Sequence, residues 1–303
     1  MLRTIAICPA EFPGVTTVFK NGDRLGLWQH VKLGDRIPLD TETMIIDTWI
    51  NNYKDFLGKP QIRIIPFLTS TIGQMEFSWN QIELKLIRAV IELMEKNIIQ
   101  FVLAGWPDVI DVMFPRFKAQ DRAFFCPYPL DIRYSRKLRI NKKIPNSIGL
   151  FSPSSARKNL QNQILAGSAS GELHTNLNIQ GNGIKNYPWI DEQSYYDMLN
   201  KLKITLHCGF TESFCYAAAE SLMCGTIPIV SLQIAQNLGF PEDIPIIVRQ
   251  VDSANTIKIK VQNVLNWNDA YYVAYVGYLQ TLLTKTAEQN LEQIKIILDK
   301  VTK

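Results

Sequence analysis

The sequence predicts an α/β protein with parallel sheets, and three observations predict it. Short apolar strands alternate with helical stretches along most of the chain, the pattern of parallel sheets covered by helices. The length of 303 residues suits two domains at about 150 residues each. Hydrophobic residues make up 47% and charged residues 20%, enough apolar material for real cores. That balance excludes a disordered chain. The 16 glycines show no triplet period and no long heptad run appears, which excludes collagen-like and coiled-coil rods.

No stretch approaches the ~20 continuous apolar residues of a membrane span. The opening MLRTIAICPAEF carries a short apolar run, read as a first buried strand and too short for a secretory signal. The five cysteines are scattered and odd in number, so no disulfide framework is expected and a reducing, cytoplasmic setting is. A formal net charge of +4 is too mild to announce nucleic acid but leaves room for an anionic partner.

Taken in order, the first part predicts strands at 4–8, 44–48, 62–66, 98–103 and 123–126. The clearest helix is SWNQIELKLIRAVIELMEKN, with a capping box of Ser78 and Gln81 and with Ile82, Leu86, Val90, Leu93 and Met94 at helical spacing. The turn Asn21-Gly22-Asp23, between TTVFK and LGLWQHV, predicts a β-hairpin. Residues 127–145 carry prolines at both ends and Arg133, Arg136, Lys137, Arg139, Lys142 and Lys143 between, read as the interdomain connection. A solvated linker is its plain reading. Its functional reading is an anion-binding surface for lipid headgroups, DNA or a teichoic-type polymer.

The second part predicts strands at 148–151, 177–179, 204–207, 227–230 and 245–248. Helices are expected from about Asn159, at 193–201 and at 214–224, and two amphipathic helices from about Asn268 and about Glu288 close the chain. No internal repeat or low-complexity tract appears.

The chemistry concentrates in KITLHCGFTESFCYAAAESLMCGTIPIVS, residues 203–231. A strand ends at a turn, and an Ala/Leu-rich helix follows, stopped by Gly225 at its C′ position. Glu212 lies in the turn and Glu220 on the second helical turn, roughly 9–12 Å apart along the axis at ~1.5 Å per residue. That spans a nucleoside diphosphate sugar from ribose to sugar ring, and the helix N-terminus between the two acids suits a diphosphate. On spacing alone, an ordinary βαβ unit with two solvent-facing glutamates is the simpler reading. The flanking residues decide against it.

Those flanking residues resemble the glutamate-pair motif of family 4 and related retaining glycosyltransferases of the GT-B fold. Glu212, Phe214, Glu220, Cys224, Gly225, Pro228 and Val230 fall in register with it, while Ser213 and Cys215 replace family glycines. A second match is SIGLFSPSSARKNLQNQILA, where Lys158 aligns with the family's diphosphate-binding lysine. Pro153 stands at the expected arginine, and Arg157 is the neighbouring cation that would replace it. Two cations there would neutralise the departing diphosphate. LNIQGNG, with Gly181 and Gly183, resembles the next strand and glycine turn, and Tyr187-Pro188-Trp189 follows where the base is usually held. Gly14 in CPAEFPGVTT loosely resembles the first glycine loop. The resemblance covers roughly residues 147–250.

It implies two facing Rossmann-like domains: residues 1–127 for the acceptor, 128–285 for the donor, and 286–303 as a helix packing back on the first. It implies transfer of a hexose from a nucleotide diphosphate sugar, UDP-sugar before GDP-sugar, to a glycan, lipid-linked sugar or other hydroxyl, with retention. Glu212, Arg157 and Lys158 would be catalytic. Glu220, Ser213, Phe214, Cys215, Gly181, Gly183, Trp189 and Gly14 would bind the donor. Beyond the co-substrate no cofactor is expected, and no metal: His207, Cys208, Cys215 and Cys224 fit no usual ligand spacing, and no Asp-x-Asp occurs. His207 reads as a satisfied histidine at a strand end, and His30 as a lesser cleft candidate. The competing readings are a nucleic-acid-modifying glucosyltransferase, a silent sugar-nucleotide-binding protein and a GT-B epimerase.

Overall fold

The computed structural model describes residues 3–8, 13–47, 62–72, 74, 82–132, 142–152, 155–187 and 191–302. The chain forms two compact units, Met1–Asp131 with Ala287–Lys303, and Ile132–Thr286.

The first unit holds β1 (Arg3–Cys8), α1 (Pro13–Arg24), β2 (Gln29–Lys32), β3 (Thr41–Asp47), β4 (Arg63–Leu68), α2 (Ile82–Glu95), β5 (Val102–Ala104), α3 (Pro107–Met113), α4 (Pro115–Ala119) and β6 (Ala123–Phe125). Its six-stranded sheet runs β2-β1-β3-β4-β5-β6, parallel throughout. Strands covered on both faces need continuous apolar sequence, and the buried runs Ile5-Ala6-Ile7 and Met44-Ile45-Ile46 supply it; Ile5, Ile7, Met44, Ile46 and Ile64 gather in one cluster. Against β4 and β5, the α2 residues Ile87, Val90 and Met94 build a second one with Leu68, Val102 and Phe114.

Asn21-Gly22-Asp23 forms no hairpin: it belongs to α1, and β2 pairs with β1 in parallel. The glycine serves packing. A Cβ on Gly22 would fall 2.1 Å from the Trp28 ring, whose indole N–H donates to Phe19 O at 2.9 Å. The strand expected at 98–103 is confined to Val102–Ala104 because α2 ends in a Schellman turn. Asn97 adopts φ 56° there, and Ile98 N donates back to Leu93 O at 2.9 Å. The Ser78–Gln81 capping box lies outside the described residues.

The second unit holds β7 (Ser147–Leu150), α5 (Leu160–Ser168), β8 (Glu172–Thr175), β9 (Ile184–Asn186), α6 (Glu192–Leu199), β10 (Ile204–His207), α7 (Tyr216–Met223), β11 (Ile227–Ser231), α8 (Leu232–Asn237), β12 (Ile247–Val248) and α9 (Ala254–Leu265). Its sheet runs β12-β11-β10-β7-β8-β9, again parallel. The order reverses between β7 and β10, which makes the carboxyl ends of these strands the topological switch point. The strand expected at 177–179 is a connection instead. Asn178 takes φ 51°, and the Asn186 side chain bridges both backbone groups of Ile179.

Where two closing helices were expected, one continuous 34-residue helix runs, α10 (Asp269–Thr302). Its early part fastens to the second unit, with Tyr272 OH donating to Lys203 O at 2.6 Å and Gly225 O at 3.0 Å. Its last part belongs to the first unit: Val301 O accepts from Arg63 Nη1 at 2.7 Å, and Ile294, Leu298 and Val301 are buried. No helix among the described residues is long and apolar enough to cross a membrane.

All five cysteines are free and buried. Burial pushes Cys8 up to about 11 and Cys126, Cys215 and Cys224 up to about 12, from an ordinary 9.0, with Cys208 higher still. Unfolding releases each thiol to ionise near its ordinary value. Above pH 9 the unfolded chain therefore binds fewer protons, and stability falls by about 1.4 kcal/mol per pH unit for each thiol ionised only when unfolded. Lys143 opposes this, since its folded value near 8 lies below the ordinary 10.5, but it is one group against five. Urea unfolding under reductant should show a midpoint that drops steadily between pH 8 and pH 10. A flat profile would contradict five buried thiols.

Candidate functional site

The two strands at the second unit's switch point carry the loops that matter. After β7 the chain makes a short 3-10 turn, Ala156–Lys158, and then Asn159 takes the left-handed conformation, φ 53° and ψ 40°, before α5 begins. A non-glycine residue held there needs support from its surroundings. Asn159 Nδ2 donates to Cys208 O at 3.0 Å and also to Val251 O, and its Oδ1 accepts from Asn162 at 2.8 Å. Gln163, 2% exposed, does the same from the first turn of α5. Its Nε2 donates to Lys158 O at 2.6 Å and its Oε1 accepts from Cys208 N at 2.8 Å. These two amides pin the loop after β7 to the end of β10.

The loop after β10 approaches from the other side. Phe210 N donates to Arg157 O at 2.8 Å, and a Cβ on Gly209 would lie 3.3 Å from that same oxygen. Small residue and backbone bond together bring Glu212 against the cations. Its Oε2 meets Arg157 Nη1 at 3.2 Å and also pairs with Lys158 Nζ. The Glu212 side chain is 8% exposed, those of Lys158 and Arg157 17% and 24%. Two helix-α8 amides fix the turn: Gln233 Oε1 accepts from Glu212 N at 3.0 Å, and Asn237 Nδ2 donates to Ser213 O at 3.0 Å.

Two cations share one carboxylate in a largely enclosed setting, so one positive charge is left in excess. The N-terminus of α7 starts beside this cluster, with Cys215 as N-cap making no side-chain cap. Excess cation and helix end both favour an anion there. Cys215 Sγ lies 3.5 Å from His207 Nδ1. Burial, with the Lys158 ammonium adding to it, pushes His207 down to about 3, so the ring is neutral.

The remaining sequence candidates divide. Phe214 is buried and its ring lies 4.7 Å from that of Tyr216; Ser213 and Cys215 lie between Glu212 and α7. Glu220 sits on the second turn of α7, where Tyr196 OH donates to its Oε1 at 3.4 Å. Gly181 and Gly183 are not brought to the cluster. Gly183 O accepts from Leu173 N near the amino end of β8, and Gly183 immediately precedes β9, so both glycines occupy the end of the sheet opposite the Glu212 loop. Gly14 lies in the first turn of α1, in the other unit. Trp189 lies outside the described residues, as do residues 133–141 of the basic run.

Lys143 is no part of a solvated or anion-binding face. Its Nζ donates to Asn200 O at 3.0 Å, Cys224 O at 2.9 Å and Thr226 Oγ1 at 2.9 Å, clasping the ends of α6 and α7. Burial pulls it down to about 8. Lys143→Met would leave these acceptors without a donor, so a loss of about 2–4 kcal/mol in urea unfolding at pH 7 is expected. Among the described residues no group of three or more His, Cys, Asp or Glu is placed to hold a metal ion.

Sequence reasoning missed Asn159, Gln163, Gln233 and Asn237. Their one signal was a set of uncharged amides, NLQNQ opening one helix and SLQIAQN running the length of another, beside strands that carry the charged candidates.

No family model matches the chain, and no curated protein does. Solved structures do. Anabaena Alr3699/HepE in complex with UDP and glucose matches with a TM-score of 0.67 at 11% identity, over 99% of this chain and 100% of that one. An E. coli trehalose-6-phosphate structure with bound UDP-2-fluoro glucose matches at TM-score 0.67 and 8% identity, over 99% of both chains. S. aureus TarM with fondaparinux, alpha-GlcNAc-glycerol and UDP matches at TM-score 0.65 and 11% identity, over 86% of this chain and 55% of TarM. The chain thus spans about half the length of TarM. Together with two parallel six-stranded sheets, one per unit, this likeness shows that the chain has the GT-B fold.

Proposed function

We propose that the chain transfers a hexose from a nucleoside diphosphate sugar, UDP-sugar by preference, to an acceptor hydroxyl with retention at the anomeric carbon. The observation that carries this reading is the enclosed Arg157–Lys158–Glu212 cluster at the switch point of the second sheet. Arg157 and Lys158 take the diphosphate and offset its charge as it leaves. Glu212 orients the sugar hydroxyls. Glu220, steadied by Tyr196, grips the ribose.

In the step itself the acceptor oxygen bonds to the anomeric carbon on the face from which the diphosphate departs. The bond from that carbon to the phosphate oxygen breaks, and the acceptor proton passes to a phosphate oxygen. Support for the donor class comes from HepE, TarM and the E. coli structure, whose complexes contain UDP or a UDP-sugar. Support for retention comes from a trehalose-6-phosphate synthase structure, matched at TM-score 0.60 and 10% identity, that concerns glycosyl transfer with retention.

The test is a thermal-shift screen of UDP-, GDP-, ADP- and dTDP-sugars on wild type and Glu220→Ala, followed by NMR of the product's anomeric proton. Stabilisation by a UDP-sugar, lost in Glu220→Ala, and a product keeping the donor's anomeric configuration are expected, with transfer persisting in EDTA. Donor binding without transfer to any acceptor would leave a silent binding protein. Release of free nucleotide with an epimerised sugar would indicate an epimerase.

A further inference from the structure

His207 ends β10 at the switch point, its ring against the N-cap residue of α7 and within the electrostatic influence of Lys158. Nδ1 faces Cys215 Sγ at 3.5 Å, but Nε2 is buried and has no hydrogen-bond partner among the described residues. An orphaned polar nitrogen inside a protein is costly and calls for an explanation, of which a partner supplied by a bound ligand is one. The strand end where it sits is also where two cations and one carboxylate leave a positive excess.

We propose that His207 is a third ligand of the anion taken by Arg157 and Lys158, donating Nε2–H to a phosphate oxygen of a nucleoside diphosphate. The inference rests on the donor-site reading above and adds a residue to it. Burial keeps the Cys215 thiol protonated, so it donates to Nδ1 and leaves the single ring proton on Nε2. Cys215 is then a positioning residue that fixes the tautomer. A neutral donor here adds a directional contact without adding a third buried charge beside Lys158.

The experiment measures binding of inorganic pyrophosphate, UDP and UDP-glucose by calorimetry, and melting temperature without ligand, for wild type, His207→Phe and His207→Gln. Phenylalanine puts a planar apolar ring in place of the imidazole and removes both nitrogens; glutamine keeps an N–H donor. Affinity for all three probes should fall ~10-fold or more in His207→Phe and recover in part in His207→Gln. The unliganded melting temperature of His207→Phe should rise, because the orphan is gone. Unchanged affinity in His207→Phe overturns the proposal while leaving the donor site standing. Weakened affinity with a lowered melting temperature also overturns it, since a merely structural histidine behaves so. If wild type binds none of the three probes, the donor-site reading and this inference fall together.

Discussion

Replacing Lys158 with methionine is expected to cut turnover of the UDP-sugar that stabilises the wild type by at least 10²-fold, with a smaller rise in KM. On the proposed reading its ammonium faces the charge that builds up as the diphosphate leaves, and one preorganised donor at such a position is worth about 10²–10³ in rate. Methionine keeps the aliphatic stem, and Arg157 Nη1 still pairs with Glu212, so the carboxylate is not left alone. Folding should survive, with a circular dichroism melt within a few degrees of wild type. Lys158→Arg restores the charge but not the geometry, since the loop is pinned by Asn159 and Gln163 around a lysine-length reach. Its turnover should fall between the two. A kcat for Lys158→Met within threefold of wild type would remove Lys158 from the leaving-group side altogether.

How much of this was legible in the sequence follows from the range over which each signal acts. Glu212, Phe214, Glu220 and the Cys224-Gly225 stop are local in sequence and structure, so turn, helix and following strand all sit where the motif put them. The same holds for the buried strands rich in isoleucine and valine. Asn-Gly is a strong local hairpin signal, yet it lost to a longer-range demand. The Trp28 ring needs the space over Gly22, and β1 finds its partner in parallel. LNIQGNG looked like strand and turn because Leu177 and Ile179 alternate with asparagines. The asparagines decide, since Asn178 takes the left-handed conformation and Asn186 caps the loop.

Lys143 shows the limit most plainly. By composition it belongs to a basic run, but its acceptors are Asn200, Cys224 and Thr226, residues far along the chain that only the fold brings near. The amides that align the site were unreadable for the same reason. Gln163 and Gln233 act by reaching backbone groups of Cys208, Lys158 and Glu212 across the sheet's carboxyl edge. No spacing rule connects those positions. Glu212 and Lys158 were read from the motif and Arg157 from its place beside Lys158; what aims them was visible only in three dimensions.

Glu212→Gln should move two measurements in opposite directions. The Glu212 carboxylate pairs with both Arg157 and Lys158, the cations that the proposed function assigns to the diphosphate. Glutamine has nearly the same shape and no charge, so the cluster passes from one excess positive charge to two. Inorganic pyrophosphate and UDP should then bind at least ~10-fold more tightly, because two charges about 4 Å apart at an effective dielectric near 20 interact by about 4 kcal/mol. The empty variant should lose roughly 3 kcal/mol of stability, as two largely enclosed cations lose their acid, and UDP should restore it. Transfer should nonetheless fall by 10² or more, since a neutral amide holds the sugar hydroxyls less firmly in the transition state than a carboxylate does. Tighter product binding with slower chemistry identifies Glu212 as both the internal competitor of the diphosphate and the sugar's guide. Weaker pyrophosphate binding in Glu212→Gln would mean instead that the carboxylate preorganises the two cations, and the competition argument would fall while Lys158 kept its role.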